Sequence, residues 1–370
     1  MEFIIKFGNT KVKLIGKDEF IGNIKKELSL FIEKDNNYDL VCNIISSKDS
    51  FNYDYDNFYV FEKNKPKKDP WRISYQLMIP KKNVTPFIFY MIVDEKTFSF
   101  EPTSFKDYIG ESVWRIVENT WMRRKDALNY EIISQIIESI CLLYKPDECP
   151  LIHSAGMRLN GKGVLISGEG GVGKTTTSLQ LILSEKDCLF INDDVALLEK
   201  NGDLCFYPRK IMIYRYNIKG FSPLKLNLVR NQSVLDRLHW MLHNFDNSFW
   251  RARRRISAEN LFGRDKVSYE KTSLNYIFFL ERTVKNKIEY QEMSNDEFSN
   301  RMARIMIEEK KPFSLFLFEK TNINRDYWIR KYCDSLLMRL EKQNTKIIKI
   351  SIPSNVEYKC IANLIKKITK

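Results

Sequence analysis

Alternating hydrophobic and polar residues predict a β-rich N-terminal part in this chain of 370 residues. Two short runs, residues 3–7 and 11–15, flank Gly8-Asn9, and this spacing predicts a hairpin because such a turn is typical of paired strands. Further strand-like runs follow at residues 38–45, 58–62, 71–79 and 86–93. We therefore expect residues 1–110 to form a β-rich N-terminal lobe.

The spacing of the hydrophobic residues changes after this lobe. Between residues 111 and 150 they recur every three or four positions, which predicts one or two amphipathic helices that form a helical connector. From residue 151 to the C-terminus, strand-like and helical segments alternate, which predicts an α/β domain. Within it, residues 222–265 have a helical and basic character.

The most specific pattern is a glycine-rich loop that follows the apolar run 163–167 and reads Gly168-Glu169-Gly170-Gly171-Val172-Gly173-Lys174-Thr175. It matches the G-x-x-x-x-G-K-[ST] pattern of loops that bind nucleotide phosphates. Glycines permit positive φ angles and let backbone N–H groups converge on an anion. The candidates for nucleotide binding are Gly168, Gly170, Gly171, Val172, Gly173, Lys174, Thr175 and Thr176.

Two residues of the loop carry specific chemistry. Lys174 supplies a positive charge for the outer phosphates, and the Thr175 hydroxyl supplies a ligand for Mg²⁺. The helix that starts at about Thr175 directs the positive end of its dipole to the same place. We therefore expect ATP or GTP, together with Mg²⁺, as the cofactors.

Acidic residues end the next apolar strand, where Asp193 and Asp194 follow Lys174 by 19 and 20 residues. One carboxylate can hold Mg²⁺ opposite Thr175, and the other can accept a proton from an incoming hydroxyl. The alternative is that the pair merely ends a strand. His153, at the end of an earlier apolar run, is either a buried core histidine or a part of the active site.

Composition and charge narrow the classes of function. The net charge is +13, and residues 201–270 hold 13 basic but only 6 acidic side chains, which could serve phosphate, an acidic peptide or nucleic acid. We find no signal peptide and no apolar run that could cross a bilayer. The seven cysteines never have C-x-x-C spacing, which favours a reducing, cytoplasmic location over a disulfide framework.

Together, residues 152–156, the strand 163–167, the loop 168–175 and Asn192-Asp193-Asp194-Val195 resemble the HPr kinase/phosphorylase family. The resemblance covers about residues 150–200 and extends weakly through residues 253–263. It is closest to divergent HPr kinase-related proteins, some of which modify peptide precursors. It implies a phosphoenolpyruvate carboxykinase-like nucleotide-binding core with a mixed sheet, which would occupy residues 151–370.

The resemblance also implies roles for single residues. Lys174 and Thr175 match the phosphate and magnesium ligands, Asp193 and Asp194 match the metal ligand and the base, and His153 matches a histidine near the transferred phosphate. Arg253, Arg254 and Arg255 match a segment that contacts the transferred phosphoryl group, although a solvated basic helix is an equal interpretation. The family loop usually has serine at the position of Gly170, and the later signature of the bifunctional enzymes is missing, which argues against phosphorylase activity.

Three functions remain as hypotheses. The first is a nucleotide- and Mg²⁺-dependent kinase that acts on a Ser or Thr hydroxyl of a peptide or small protein, with Asp194, or else Asp193, as the base and Arg254 among the groups that neutralise charge. The second is a kinase for a small hydroxyl metabolite such as free serine. The third is a nucleotide-dependent switch or a nucleic-acid-binding ATPase, which ranks last. We expect neither a membrane nor nucleic acid as the partner, and homo-oligomerisation stays open.

Overall fold

A computed structural model describes residues 1–34, 36–46, 55–63, 75–81, 87–93, 129–218, 221–230, 253–321 and 323–370. The described residues divide into two compact units. Unit 1 contains those of residues 1–144 and 312–324, and unit 2 contains those of residues 145–233, 240–311 and 325–370. The predicted boundaries at 110 and 150 stay a prediction, because residues 101–128 lie outside the described part.

Unit 1 is built on a mixed seven-stranded sheet. Its strands are β1 Glu2–Phe7, β2 Thr10–Gly16, β3 Ile32–Glu33, β4 Leu40–Ser46, β5 Phe58–Lys63, β6 Tyr75–Pro80 and β7 Phe87–Val93. They lie in the order β3-β1-β2-β4-β7-β6-β5. The predicted hairpin is confirmed, because β1 and β2 pair antiparallel from Phe7↔Thr10 to Glu2↔Ile15.

The helices of unit 1 bury apolar side chains, and only the middle one was predicted from the sequence. Helix α1 (Asp18–Glu27) buries Phe20, Ile21 and Ile24. A π-helical segment, Glu131–Ile137, continues into α2 (Glu138–Tyr144), which lies inside the predicted helical connector. Helix α8, which follows later in the chain (Phe313–Lys320), places Phe313 and Phe316 against Phe61 with ring centroids 5.4 and 5.3 Å apart.

Unit 2 contains a mixed six-stranded sheet in the order β10-β8-β9-β15-β17-β16, which confirms the predicted α/β class. Its strands are β8 Ser154–Leu159, β9 Lys162–Gly168, β10 Cys188–Asn192, β15 Leu274–Thr283, β16 Glu289–Glu292 and β17 Lys346–Pro353. Two short ribbons lie beside it: β11 Leu197–Leu198 with β12 Leu204–Cys205, and β13 Ile211–Tyr214 with β14 Arg253–Ile256.

Several helices share a hydrophobic core with this sheet, formed by residues such as Val164, Leu179, Phe278 and Ile361. They are α3 Lys174–Ser184, α4 Arg215–Ile218, α5 Ser222–Arg230, α6 Ala258–Phe262 and α10 Tyr358–Thr369. Two more helices of unit 2 are α7 Asn295–Glu309, which places Phe298 against Phe279 of β15, and α9 Arg325–Lys342. None of the helices in the described ranges is both long and apolar enough to cross a bilayer. The seven cysteines are free, and all except Cys360 are buried.

Strand direction and register bring one edge of this sheet together. Strands β9, β15 and β17 are parallel, and Gly168 pairs with Leu280, which pairs with Ile350, so their carboxyl ends lie at the same edge. Strand β8 runs antiparallel to β9, with Ser154 opposite Ser167, so the residue before β8 reaches that edge too. Strand β10 is antiparallel to β8 and ends there as well. Ligands of open α/β sheets bind at this kind of edge.

One predicted element is wrong. The arginines at 253, 254 and 255 were expected on a basic helical segment, but they lie on strand β14, where Arg254 pairs with Ile213 and Arg255 with Met212. A strand of three arginines and one isoleucine has no hydrophobic alternation, so its structure depends on pairing with β13, which is distant in sequence. The helical interpretation holds for α5, and residues 231–252 lie outside the described part.

Candidate active site

The glycine-rich loop has the strand–loop–helix geometry that its sequence predicts. It leaves β9 at Gly168 and enters α3 at Lys174, with positive φ angles of 137°, 74° and 103° at Gly168, Gly171 and Gly173. A Cβ atom at Gly168 would lie 2.3 Å from the Leu280 carbonyl oxygen, so only glycine fits there. The loop therefore places backbone N–H groups at the positive end of α3, as anion binding requires.

Lys174 is held inside this loop. Its side chain is buried, and Nζ donates hydrogen bonds to the carbonyl oxygens of Gly168 at 2.9 Å and Glu169 at 2.7 Å. Burial lowers the pKa of Lys174, although the charges of Asp194 and Glu309 act in the opposite direction. These contacts fix the ammonium group within the loop, which is where a phosphate-binding loop requires its positive charge.

Thr175 and Asp193 face each other across the end of the sheet, as the sequence predicts. The Thr175 hydroxyl donates a hydrogen bond of 2.9 Å to Asp193 Oδ1. Asp193 is buried, and burial together with the neighbouring charge of Asp194 raises its pKa to about 7, against the lowering effects of Thr175 and Arg209. The charged form of Asp193 is therefore costly until a cation compensates it.

Asp194 has a different environment from its neighbour. Its backbone is left-handed, with φ of 70°, a conformation that aspartate tolerates better than most residues. Its Oδ2 forms an ion pair of 2.8 Å with Nη2 of the buried Arg209. Burial opposes ionisation, but the neighbouring positive charges, first that of Arg209 and then those of Lys174 and Lys310, outweigh it and lower the pKa of Asp194 to about 2. The side chain stays 42% exposed, so an incoming group can reach it.

His153 lies immediately before β8 and joins this cluster. Its Nδ1 is 2.9 Å from the Asp194 backbone carbonyl oxygen, to which it donates as a neutral imidazole. Burial, and then the charge of Lys174, lower the pKa of His153, which favours the neutral form. Its buried Nε2 makes no hydrogen bond in the described part of the chain, although Glu309 Oε1 is 3.3 Å away. This nitrogen is available to a ligand.

Sequence reasoning missed three residues of the cluster. Arg209 was counted only in the basic excess of residues 201–270, and Glu309 and Lys310 stand where α7 ends, far along the chain. Helix α7 lies beside the site, where Met302 Sδ accepts a hydrogen bond of 3.4 Å from the His153 amide and Glu309 Oε1 lies 3.3 Å from His153 Nε2. The one signal for Arg209 was its position, 15 residues after Asp194 and inside the basic segment 201–270.

The remaining predicted residues occupy the margin of the site. Val172 is buried in the core below the loop, and the Thr176 hydroxyl accepts a hydrogen bond of 3.0 Å from Asn217. Asn217 in turn accepts one from the Tyr214 amide, at the end of β13, and Tyr214 pairs with Arg253 on β14. A contact between the β14 arginines and a transferred phosphoryl group stays a prediction.

The donor set at the end of β10 fits Mg²⁺. Magnesium in such sites takes one or two carboxylates, a Ser or Thr hydroxyl and phosphate oxygens, and it keeps several waters. Asp193 and Thr175 offer the carboxylate and the hydroxyl within 2.9 Å of each other, and burial, which raises the pKa of Asp193, disfavours a negative charge that a cation would offset. A cluster of three or more His, Cys, Asp or Glu side chains, as a zinc site needs, does not occur among the described residues.

Comparison with known proteins agrees with these motifs. The chain is 30% identical over 104 residues to an HPr kinase/phosphorylase of Clostridium botulinum (28% of this chain, 33% of that protein). It is 27% identical over 117 residues to that of Clostridium perfringens (32% and 37%), and 31% identical over 133 residues to that of Mycoplasma mycoides (32% and 42%). The chain thus spans about a third to two fifths of the length of these relatives.

No family model matches the chain. A solved Hpr(Ser) kinase/phosphatase from Coxiella burnetii aligns with 59% of this chain and 95% of its own at 16% identity, and its TM-score of 0.29 is too low to carry weight. The sequence matches to the three relatives confirm the predicted resemblance: in part of its length, the chain is similar to HPr kinase/phosphorylases.

Proposed function

We propose that this protein is a kinase that uses ATP or GTP with Mg²⁺ to transfer the γ-phosphoryl group to a Ser or Thr hydroxyl of a peptide or small protein. The observation that carries the proposal is the convergence at one sheet edge of the phosphate loop, the Thr175–Asp193 pair and the Asp194–Arg209 pair. Phosphoryl transfer needs these three parts: a phosphate cradle, a cation site and a group that orients the acceptor.

The loop would bind the phosphates, with Lys174 beside the outer ones and the Thr176 amide at the start of α3. Thr175 and Asp193 would hold Mg²⁺, which neutralises charge on the phosphates when it is bound. The hydrogen bond between these two side chains keeps both oxygens oriented toward the same point. These are the roles that the resemblance to HPr kinase/phosphorylases implies for Lys174, Thr175 and Asp193.

Asp194 would orient the acceptor hydroxyl and take its proton. Its low pKa makes it a weak base, but the transition state of phosphoryl transfer is loose, and the hydroxyl loses its proton late, when it has become strongly acidic. Positioning therefore matters more than basicity, and the partly exposed carboxylate is held in place by its ion pair with Arg209.

Arg209 would stabilise the charge that develops on the phosphoryl group. It is buried and forms an ion pair with Asp194 Oδ2, and charge-assisted donors of this kind act most strongly in sites from which water is excluded. His153, neutral with its proton on Nδ1, would offer Nε2 as a hydrogen-bond acceptor to a hydroxyl of the substrate. Arg253, Arg254 and Arg255 stay candidates for the same role as Arg209 from β14.

The acceptor class rests on the relatives. They are named for acting on HPr, a protein, which supports a peptide or protein acceptor over a small metabolite. The resemblance also supports a phosphoenolpyruvate carboxykinase-like arrangement of unit 2 and a role in the cytoplasm.

The test is to incubate the protein with γ-labelled ATP or GTP and Mg²⁺, in three reactions that contain candidate peptides, free serine, or no acceptor. We expect label on a Ser or Thr of a peptide, and none with Asp194→Asn. Turnover of free serine without peptide would favour a metabolite kinase. Hydrolysis at the same rate in all three reactions would favour a nucleotide-dependent switch.

A further inference from the structure

A groove of about 390 Å³ opens at the carboxyl ends of β15 and β17, at the same sheet edge as the phosphate loop. Its walls are the turn that follows β15 and the turn that follows β17. Ile288 and Val356 give it a partly apolar floor that packs against the core of unit 2, and Asn286 and Asn355 add exposed amide groups. Small-molecule sites combine these properties.

Tyr358, the first residue of α10, joins this groove to the phosphate loop. A Cβ atom at Gly173 would lie 1.9 Å from Cε1 of the Tyr358 ring, so the ring packs directly on the glycine that begins the loop-to-helix transition. The positive φ of 103° at Gly173 presents the bare backbone to the ring. Gly173 is therefore required both by its conformation and by this close packing.

Arg282 forms the second link. Its Nη2 donates a hydrogen bond of 2.7 Å to the Tyr358 hydroxyl, and its Nη1 donates one of 3.1 Å to the carbonyl oxygen of Pro353, a residue of the groove wall. The guanidinium also lies 5.9 Å from the centre of the Tyr358 ring. An exposed positive charge thus stands between the phosphate loop and the groove.

We propose that this groove binds the base and ribose of the nucleotide whose phosphates occupy the loop. The proposal rests on the proposed function, which supplies the nucleotide. A phosphate chain that starts on the loop and runs past Tyr358 meets the charge of Arg282 and then the groove. There the apolar floor can contact a face of the base, and the amides of Asn286 and Asn355 can bind its polar edge.

This assignment gives a role to the groove, Tyr358 and Arg282, which have no part in the cluster of side chains around Asp194. The cluster around Asp194 lies on the β8 and β10 side of the loop, whereas the groove lies on the β15 and β17 side. A nucleotide bound across the loop therefore directs its γ-phosphate toward the acceptor site and its base away from it. The acceptor peptide is the competing occupant of the groove.

The test compares Mg²⁺-ATP with Mg²⁺-tripolyphosphate, which has phosphates but no nucleoside, by calorimetry. Ser354→Trp adds bulk to the groove wall, and Gln291→Trp, on the exposed strand β16 and outside the groove, is the matched control. We expect Ser354→Trp to weaken ATP binding about tenfold or more, which corresponds to about 1.4 kcal/mol, and to leave tripolyphosphate binding unchanged. Gln291→Trp should change neither.

A second variant keeps the test informative if the tryptophan disturbs the turn. Asn355→Ala only shortens an exposed side chain and should also weaken ATP but not tripolyphosphate. ATP affinity within about twofold of wild type in both variants would overturn the groove assignment and leave the kinase proposal intact. Weaker binding of an acceptor peptide with unchanged ATP affinity would assign the groove to the acceptor instead. Failure of the wild type to bind either phosphate ligand would overturn the proposed function itself.

Discussion

Replacing Asp193 by asparagine should stabilise the protein at alkaline pH when Mg²⁺ and nucleotide are absent. Asparagine has nearly the same shape and can still accept the 2.9 Å hydrogen bond from Thr175, but it removes a buried negative charge beside Asp194. The substitution therefore isolates the cost of the charge from the loss of packing.

The size of the effect follows from the pKa of Asp193. Burial and the charge of Asp194 raise this pKa from 3.8 to about 7, and each pKa unit corresponds to about 1.36 kcal/mol. The folded state holds its proton more tightly than the unfolded state, so the stability that this group contributes is fully present below pH 3.8 and is lost progressively as the pH rises to about 7. The loss reaches about 4 kcal/mol.

Urea unfolding of the wild type and of Asp193→Asn measures this loss of stability directly. The measurements are made from about pH 5 to about pH 8, which spans the titration of a carboxyl group whose pKa is raised to about 7. The free energy of unfolding of the variant should exceed that of the wild type by an amount that grows with pH and levels off above about pH 7. Saturating Mg²⁺ and nucleotide should remove the advantage, because only the wild type offers the carboxylate to the cation. A difference between the two proteins that does not change with pH would refute the reasoning.

Three further substitutions test single parts of the site. Arg209→Lys keeps the charge but loses the planar donor fork, so phosphoryl transfer should fall at least about tenfold with nucleotide affinity unchanged in calorimetry; an equal loss of both would contradict this role. Gly173→Ala must both adopt a left-handed backbone and displace Tyr358, so it should lower the free energy of unfolding in urea by about 3 kcal/mol or more. Gly171→Ala has open space around it and should lower this free energy by only about 1–2 kcal/mol. Similar losses in the two variants would argue against the packing of the Tyr358 ring on the loop. His153→Gln should slow transfer and spare nucleotide affinity, and wild-type transfer rates would remove His153 from the mechanism.

The phosphate loop could be predicted from sequence because its constraints are local. Gly168, Gly171 and Gly173 adopt the positive φ angles that the pattern requires, and Lys174 and Thr175 follow at a fixed spacing. The aspartate pair could be predicted for a similar reason, since it ends an apolar strand that returns to the same sheet edge.

Arg209, Glu309 and Lys310 could not be predicted, because they reach the site through tertiary packing. Helix α7 approaches His153 only once the sheet order places β8 beside it, and nothing in the local sequence of residues 309 and 310 distinguishes them from other charged helix ends. The wrong helix at 253–255 has the same origin, since pairing with a distant strand overrode the local pattern.

The measurement that tests the central claim most directly is a rapid-quench experiment on phosphoryl transfer from Mg²⁺-ATP to an acceptor peptide, with the affinity for Mg²⁺-ATP measured in parallel. In Asp194→Asn we expect the transfer rate to fall about 10²-fold or more, because the acceptor hydroxyl loses the group that orients it. The affinity for Mg²⁺-ATP should stay within about threefold. Transfer at the wild-type rate in Asp194→Asn would contradict the account.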